Sequence, residues 1–162
     1  GFCSAKTGGL TMNKTINQIG DMLDRRRIPY QLRQDNENVL RFQLRLPQSG
    51  ADVIFMISFI EAQSNFNLSV SRIARFNAPT MDAYRLINRF NANPKSYNCK
   101  MFLDPEGYVI VTCNAVIESG AVVKQVEEYI GIALDTIDEY YPQLVEVIEK
   151  GNAEWEKEHS EN

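Results

Sequence analysis

The stretch Val53–Ile60 constrains this chain more than any other. With a period of two, Val53, Phe55, Ile57 and Phe59 share one face, while Ile54, Met56 and Ile60 share the other. A strand apolar on both sides is a central strand that must be covered twice. Either its sheet is packed on both faces, or the second face meets another subunit. Covering both faces within one chain needs more helices than the three main ones the sequence offers. Self-association as a two-fold dimer is therefore expected.

Neighbouring segments supply the rest of the sheet. Asp35-Asn36-Glu37-Asn38 forms a turn, and beyond it Leu40, Phe42, Leu44 and Leu46 face inward while Arg41, Gln43 and Arg45 face outward. Gln63-Ser64-Asn65 turns the chain into Phe66–Phe76. There Phe66, Leu68, Val70, Ala74 and Phe76 keep the alternation, and Arg72 breaks it, so a bulge or bend is expected at Arg72.

Helical spacing appears in three places. Met12, Ile16, Ile19 and Leu23 mark a first helix, capped by Thr11 or Asn13, closed by Arg25-Arg26-Arg27 and stopped by Pro29. Pro79-Thr80 opens a second, with Ala83, Leu86, Ile87 and Phe90 on one stripe and Asn93-Pro94 at its end. Ser119-Gly120 opens a third, whose stripe is Val122, Val126, Tyr129, Ile130, Ala133, Ile137 and Tyr140. Pro142 suits the first turn of a separate short helix that ends at Gly151. The charged segment from Asn152 to Asn162 is expected to fray, with Trp155 as its one anchor.

The turn Asp104-Pro105-Glu106-Gly107 sets a register. Asp, Pro and Gly at its first, second and fourth positions suit a type I turn followed by a left-handed Gly bulge. That geometry places Leu103 opposite Val109, Met101 opposite Val111, and Cys99 opposite Cys113, all six on one apolar face. A plain four-residue loop would mix polar residues into that face. Two opposed cysteines could be a disulfide or a redox switch, but reduced core packing is the plainer reading.

Few kinds of chemistry are open to this composition. The only histidine, His159, lies in the charged tail. No nucleophile–base pair, metal-ligand spacing or phosphate loop is present, so no catalytic, cofactor-binding or metal-binding residue is nominated. Glu127, Glu128, Asp135, Asp138 and Glu139 lie opposite the stripe of the third helix, as a solvated face would. Asn91 reads as a helix cap.

The net charge of −4 hides a split. Residues 1–114 carry 14 Lys/Arg against 9 Asp/Glu, and residues 115–162 carry 3 against 12. Such a split favours opposed or self-complementary surfaces over nucleic-acid binding. Arg41, Arg45 and Arg75 are the candidates for contact with an anionic partner; ordinary exposed strand positions are the alternative reading. No run is long and apolar enough for a membrane span, and Gly1–Lys6 lacks a signal peptide's hydrophobic core, so a cytoplasmic location is expected.

Three elements together carry a resemblance. These are Leu86-Ile87-Asn88-Arg89-Phe90-Asn91, the Asp104-Pro105-Glu106-Gly107 hairpin, and Glu139-Tyr140-Tyr141-Pro142-Gln143-Leu144 at the end of an acidic amphipathic helix. In order and wording they resemble the YbjN family of bacterial proteins, described as sensory-transduction regulators. The likeness is best over residues 81–145 and extends back to Met12.

The resemblance implies an α+β fold similar to class I type III secretion chaperones. A mainly antiparallel sheet of five or six strands would pack with three main helices, in the order α-β-β-β-β-α-β-β-α. It also implies a non-catalytic regulatory module that binds a protein or peptide, or a chaperone-like holder of an unfolded client, and nominates no functional residue. A single domain over residues 12–151 is expected, preceded by a flexible segment 1–11 and followed by the tail 152–162.

Overall fold

The computed structural model describes residues 2–3, 11–33, 38–60, 64–118 and 120–160. The expected turn at 35–37 and most of the expected flexible segment 1–11 lie outside the described residues. The elements run β1 (Phe2–Cys3), α1 (Thr11–Arg25), β2 (Tyr30–Arg33), β3 (Val39–Arg45), β4 (Asp52–Ile60), β5 (Asn65–Ser71), α2 (Met81–Ala92), a 3-10 turn (Pro94–Ser96), β6 (Lys100–Leu103), β7 (Val109–Val116) and α3 (Val122–Ser160). From α1 onward this is the expected order. The sheet is antiparallel throughout, ordered β1-β2-β3-β4-β5-β7-β6. Six strands follow α1, and β1 adds a two-residue strip beside β2.

Alternation decides what each strand buries. Leu40, Phe42, Phe55, Ile57, Leu68, Val70, Val111 and Cys113 point to one side. There they join Ile19, Leu23, Leu86, Phe90, Val126 and Ile137 from α1, α2 and α3 in a single core. The Phe42 and Phe55 rings stack across β3 and β4, centroids 5.4 Å apart. Full burial of each large side chain is worth about 1.5–3 kcal/mol, so this one layer of helix on sheet supplies most of the driving force.

Local signals mostly act as the residues dictate. The Thr80 hydroxyl accepts the Ala83 N–H at 3.3 Å and starts α2. Arg27 takes a left-handed conformation, φ 56°, and lets Ile28 N–H close α1 onto the Leu23 carbonyl at 2.9 Å. Arg72, at φ 56°, ends β5. The chain resumes pairing at Arg75 opposite Tyr108, and this is the expected bend.

The second hairpin has the bulged register: Leu103 pairs with Val109 and Met101 with Val111. Gly107 has φ 87°, and Asp104 Oδ1 accepts the N–H groups of Glu106 and Tyr108, each at 2.9 Å.

Three expectations need correction. Pro142 does not begin a separate helix; α3 is continuous from Val122 to Ser160 with Pro142 inside it. The apolar stripe continues through buried Leu144 and Ile148, so packing on the sheet outweighs the one backbone hydrogen bond proline removes. Gly151 does not terminate that helix either; it is buried where an added Cβ would stand 3.2 Å from Thr80 Cγ2, so α3 and the start of α2 pack closely there.

Asp138 is not on a solvated face. It is 4% exposed, and its carboxylate accepts the Gln48 N–H at 2.9 Å and the Ser49 N–H and hydroxyl at 3.2 Å each. It thus ties α3 to the turn between β3 and β4. Beyond Gly151 the helix carries its charged last turns, where the Asn152 side chain accepts the Asn77 N–H and Trp155 stacks on His159.

Candidate partner-binding face

All three helices lie on one side of the sheet. The opposite side carries no helix among the described residues, and this resolves the problem posed by Val53–Ile60. Val53, Phe55, Ile57 and Phe59 enter the core under the helices, whereas Ile54, buried at 5% exposure, and half-buried Met56 lie on the other side and outside that cluster.

The register lays out the open face row by row. Gln31, Arg41, Met56, Ser69, Thr112 and Lys100 stand side by side across six strands. Next to this row come Gln43, Ile54 and Ser71, continued on β7 and β6 by Ile110 beside Phe102, and on the other side come Ser58, Asn67 and Asn114. The centre is apolar or small and the rim is basic. Phe102 is 43% exposed and Val116, at one end, 69%.

Arg41, Arg45 and Arg75 all lie on this face, as their alternation with Phe42, Leu44, Ala74 and Phe76 requires. Each is held. Arg45 Nε meets Asp52 Oδ1 at 3.1 Å across β3 and β4, and that hydrogen bond raises its pKa further. Arg75 Nε donates to the Glu106 carbonyl at 3.1 Å, and its guanidinium sits 5.1 Å from the Tyr108 ring centre. Arg41 is half-buried and likewise engaged.

Sequence reading did not single out Lys100, Phe102 or Ile110. Their signal was available in the hairpin register, which puts Lys100 and Phe102 out of phase with Met101 and Leu103.

A second surface surrounds the β6 edge. Met81 is 65% and Tyr84 51% exposed on α2. Tyr84 lines a groove of about 470 Å³ together with Phe76, Ile87, Phe102 and Leu103. Here the reading of Asn91 as a helix cap is corrected, because Asn93 caps α2. The Asn91 amide instead brackets Met101, its Oδ1 accepting the N–H at 2.7 Å and its Nδ2 donating to the carbonyl at 3.0 Å. It stands in for a neighbouring strand and covers part of an edge that would otherwise pair with other chains.

Two further clefts lie against α3. The one between α2 and α3, about 230 Å³, gathers Asp82, Arg89, Glu146, Lys150 and Glu154, charges of both signs open to solvent. A groove of about 590 Å³ along α3 joins Tyr97 and Tyr129 to Glu118, Glu127, Glu128 and Asp135. Arg26 reaches Glu127 at 3.1 Å. Among the described residues no group of three or more His, Cys, Asp or Glu is placed to hold a metal. Among them, too, no helix is long and apolar enough to cross a membrane.

Comparison with solved structures shows the expected secretion-chaperone-like fold. The chain is similar to one in the crystal structure of the ExsC–ExsE complex, with a TM-score of 0.61 at 12% identity over 83% of this chain and 96% of that one. It also matches a chain of the heterodimeric ExoU–SpcU complex of the Pseudomonas aeruginosa type III secretion system. That match has a TM-score of 0.46 and 16% identity, covering 74% of this chain and 90% of the other. No curated protein matches the sequence. The model of one family, described as "Putative bacterial sensory transduction regulator", matches residues 15–146, from within α1 to within α3. The chain belongs to the YbjN family.

Proposed function

We propose that this chain is a non-catalytic regulatory module that acts by binding a protein or peptide partner on the open face of its sheet, without cofactor, metal, nucleic acid or membrane. The observation that carries the reading is a six-strand face without helix cover among the described residues. Its centre is apolar, with half-buried Met56 and Ile110 beside a buried Ile54, and its rim holds Arg41, Arg45 and Arg75, with Lys100 at the β6 edge, where its ammonium donates to the Asn91 carbonyl at 3.1 Å. That composition fits an acidic segment with apolar side chains. The basic rim would steer the encounter and the centre would supply the desolvated contact.

The test is affinity capture from the native cell with the wild-type chain and with Met56→Glu and Arg41→Glu variants shown to be folded. A partner retained by the wild type and lost with both variants supports the face. A partner retained equally by all three removes it.

A second reading, a chaperone-like holder of an unfolded client, is favoured by the fold shared with a chain of the ExsC–ExsE complex. It predicts that the captured partner contributes a segment that is protease-sensitive alone and protected in the complex.

Self-association belongs to the same proposal. Met81, Tyr84 and Phe102 form an exposed apolar cluster around the β6 edge, suited to a two-fold contact in which each copy presents the same patch. Light scattering should then give about twice the 18.5 kDa of one chain. A mass of one chain, unchanged by salt and concentration, rules the dimer out.

A further inference from the structure

Cys99 and Cys113 are free thiols, 0% and 1% exposed, and neither has a part in the proposed binding face. Their geometry is specific. In the β6–β7 hairpin the ladder bonds run through the even-numbered residues: Asp104 N–H donates to the Tyr108 carbonyl at 3.0 Å. Cys99 N–H turns the other way, to the Ser96 carbonyl at 2.8 Å.

One step beyond the Lys100–Thr112 pair, the register sets Cys99 opposite Cys113. The two therefore form a non-hydrogen-bonded pair, the type whose Cα atoms stand about 4.5 Å apart. A disulfide needs a Cα separation of roughly 4.4–6.8 Å, a range that the ordinary spacing of such a pair meets. The same register turns both buried side chains to the core side of the hairpin.

We propose that this pair is an oxidation site at which hydrogen peroxide, a small uncharged oxidant able to enter a buried position, closes a cross-strand disulfide. The hydrogen bond from Cys113 lowers the pKa of Cys99, and the same bond, with burial, raises that of Cys113. Cys99 is thus the attacking sulfur.

Its thiolate attacks one peroxide oxygen, the O–O bond breaks, and Cys99 sulfenic acid and hydroxide form. The hydroxide takes up the proton that Cys99 released. The Cys113 sulfur then attacks the Cys99 sulfur; the S–S bond forms, the S–O bond breaks, and the hydroxyl leaves as water with the Cys113 proton. Two thiols are oxidised and one peroxide is reduced to two waters. The bond would fasten the Pro94–Asn98 turn to β7. That turn carries Tyr97, 69% exposed at φ 56°, with its ring 6.4 Å from that of Tyr129.

The experiment uses the full chain with Cys3→Ser, so that only these two thiols remain. After peroxide treatment, denaturation and alkylation, the expected product has lost about 2 Da, takes up no alkylating agent, and yields one peptide pair linking Cys99 to Cys113. Dithiothreitol should restore both thiols. Thiols that stay fully alkylatable under peroxide that consumes free cysteine overturn the proposal. So do sulfinic acids or a disulfide between two chains.

Cys113→Ser should leave a Cys99 sulfenic acid that dimedone traps, and Cys99→Ser should leave Cys113 unreactive. The reverse order overturns the assignment of Cys99 as the attacking sulfur. If either variant fails to fold, mass and linkage in the Cys3→Ser chain still decide.

Discussion

Gly107→Ala tests how the second hairpin is locked to the rest of the sheet. Gly107 has φ 87°, and a Cβ there would lie 2.2 Å from the backbone carbonyl oxygen of Phe76. The same glycine accepts the Phe76 N–H at 2.8 Å, and Phe76 is 1% exposed in the core. The left-handed backbone costs an L-residue about 1–2 kcal/mol. Relieving the contact moves Phe76 away and forfeits its hydrogen bond, about 1 kcal/mol more. The expected loss is about 3 kcal/mol, which for a chain of this size lowers the thermal midpoint by roughly 6–12 °C.

Gly50→Ala is the matched control. Gly50 has φ 74°, and its Cβ would meet nothing within 4 Å, so only the backbone cost of about 1–2 kcal/mol applies. Urea unfolding of both variants, with unchanged m-values, gives the comparison. If Gly107→Ala costs no more than Gly50→Ala, the close approach of Phe76 is not what holds the hairpin, and the reasoning fails.

Asp138→Ala should destabilise by about 2–3 kcal/mol, because it strips three hydrogen bonds from the Gln48–Ser49 turn, and Asp138→Asn should recover part of the loss; urea midpoints check both. Asn91→Ala should cost about 2 kcal/mol by leaving the Met101 N–H and carbonyl unpaired, and hydrogen exchange should speed at Met101 well before global unfolding. Pro142→Ala should stabilise the chain by about 1–3 kcal/mol, since α3 already runs through this exposed position; a destabilised variant would show that the packing of α3 depends on the proline.

Local and short-range patterns were legible in the sequence. Alternation identified the inward faces of β3, β4 and β5, helical spacing identified the stripes of α1 and α2, and the turn at Asp104–Gly107 set a register that put Met101 and Cys113 on the core side. These features depend on a side chain's place in its own strand, helix or turn, so a few neighbouring residues suffice to read them. Long-range partners decided the rest. Asp138 looked like a surface acid because its partners, Gln48 and Ser49, lie about ninety positions away in the chain. Asn91 looked like a cap because helix ends attract asparagine, yet its amide serves the edge of a strand beyond the next turn.

Pro142 looked like a break because proline opposes a helix locally, while the apolar stripe on either side of it holds the helix to the sheet. The candidate face shows the same division. Periodicity in Val53–Ile60 required cover on both sides. Only the placement of all three helices on one side left the face of Ile54 and Met56, bordered by Arg41, Arg45 and Arg75, without a helix over it among the described residues. Which way a helix crosses a sheet depends on packing summed over the whole core, and no single segment carries that information.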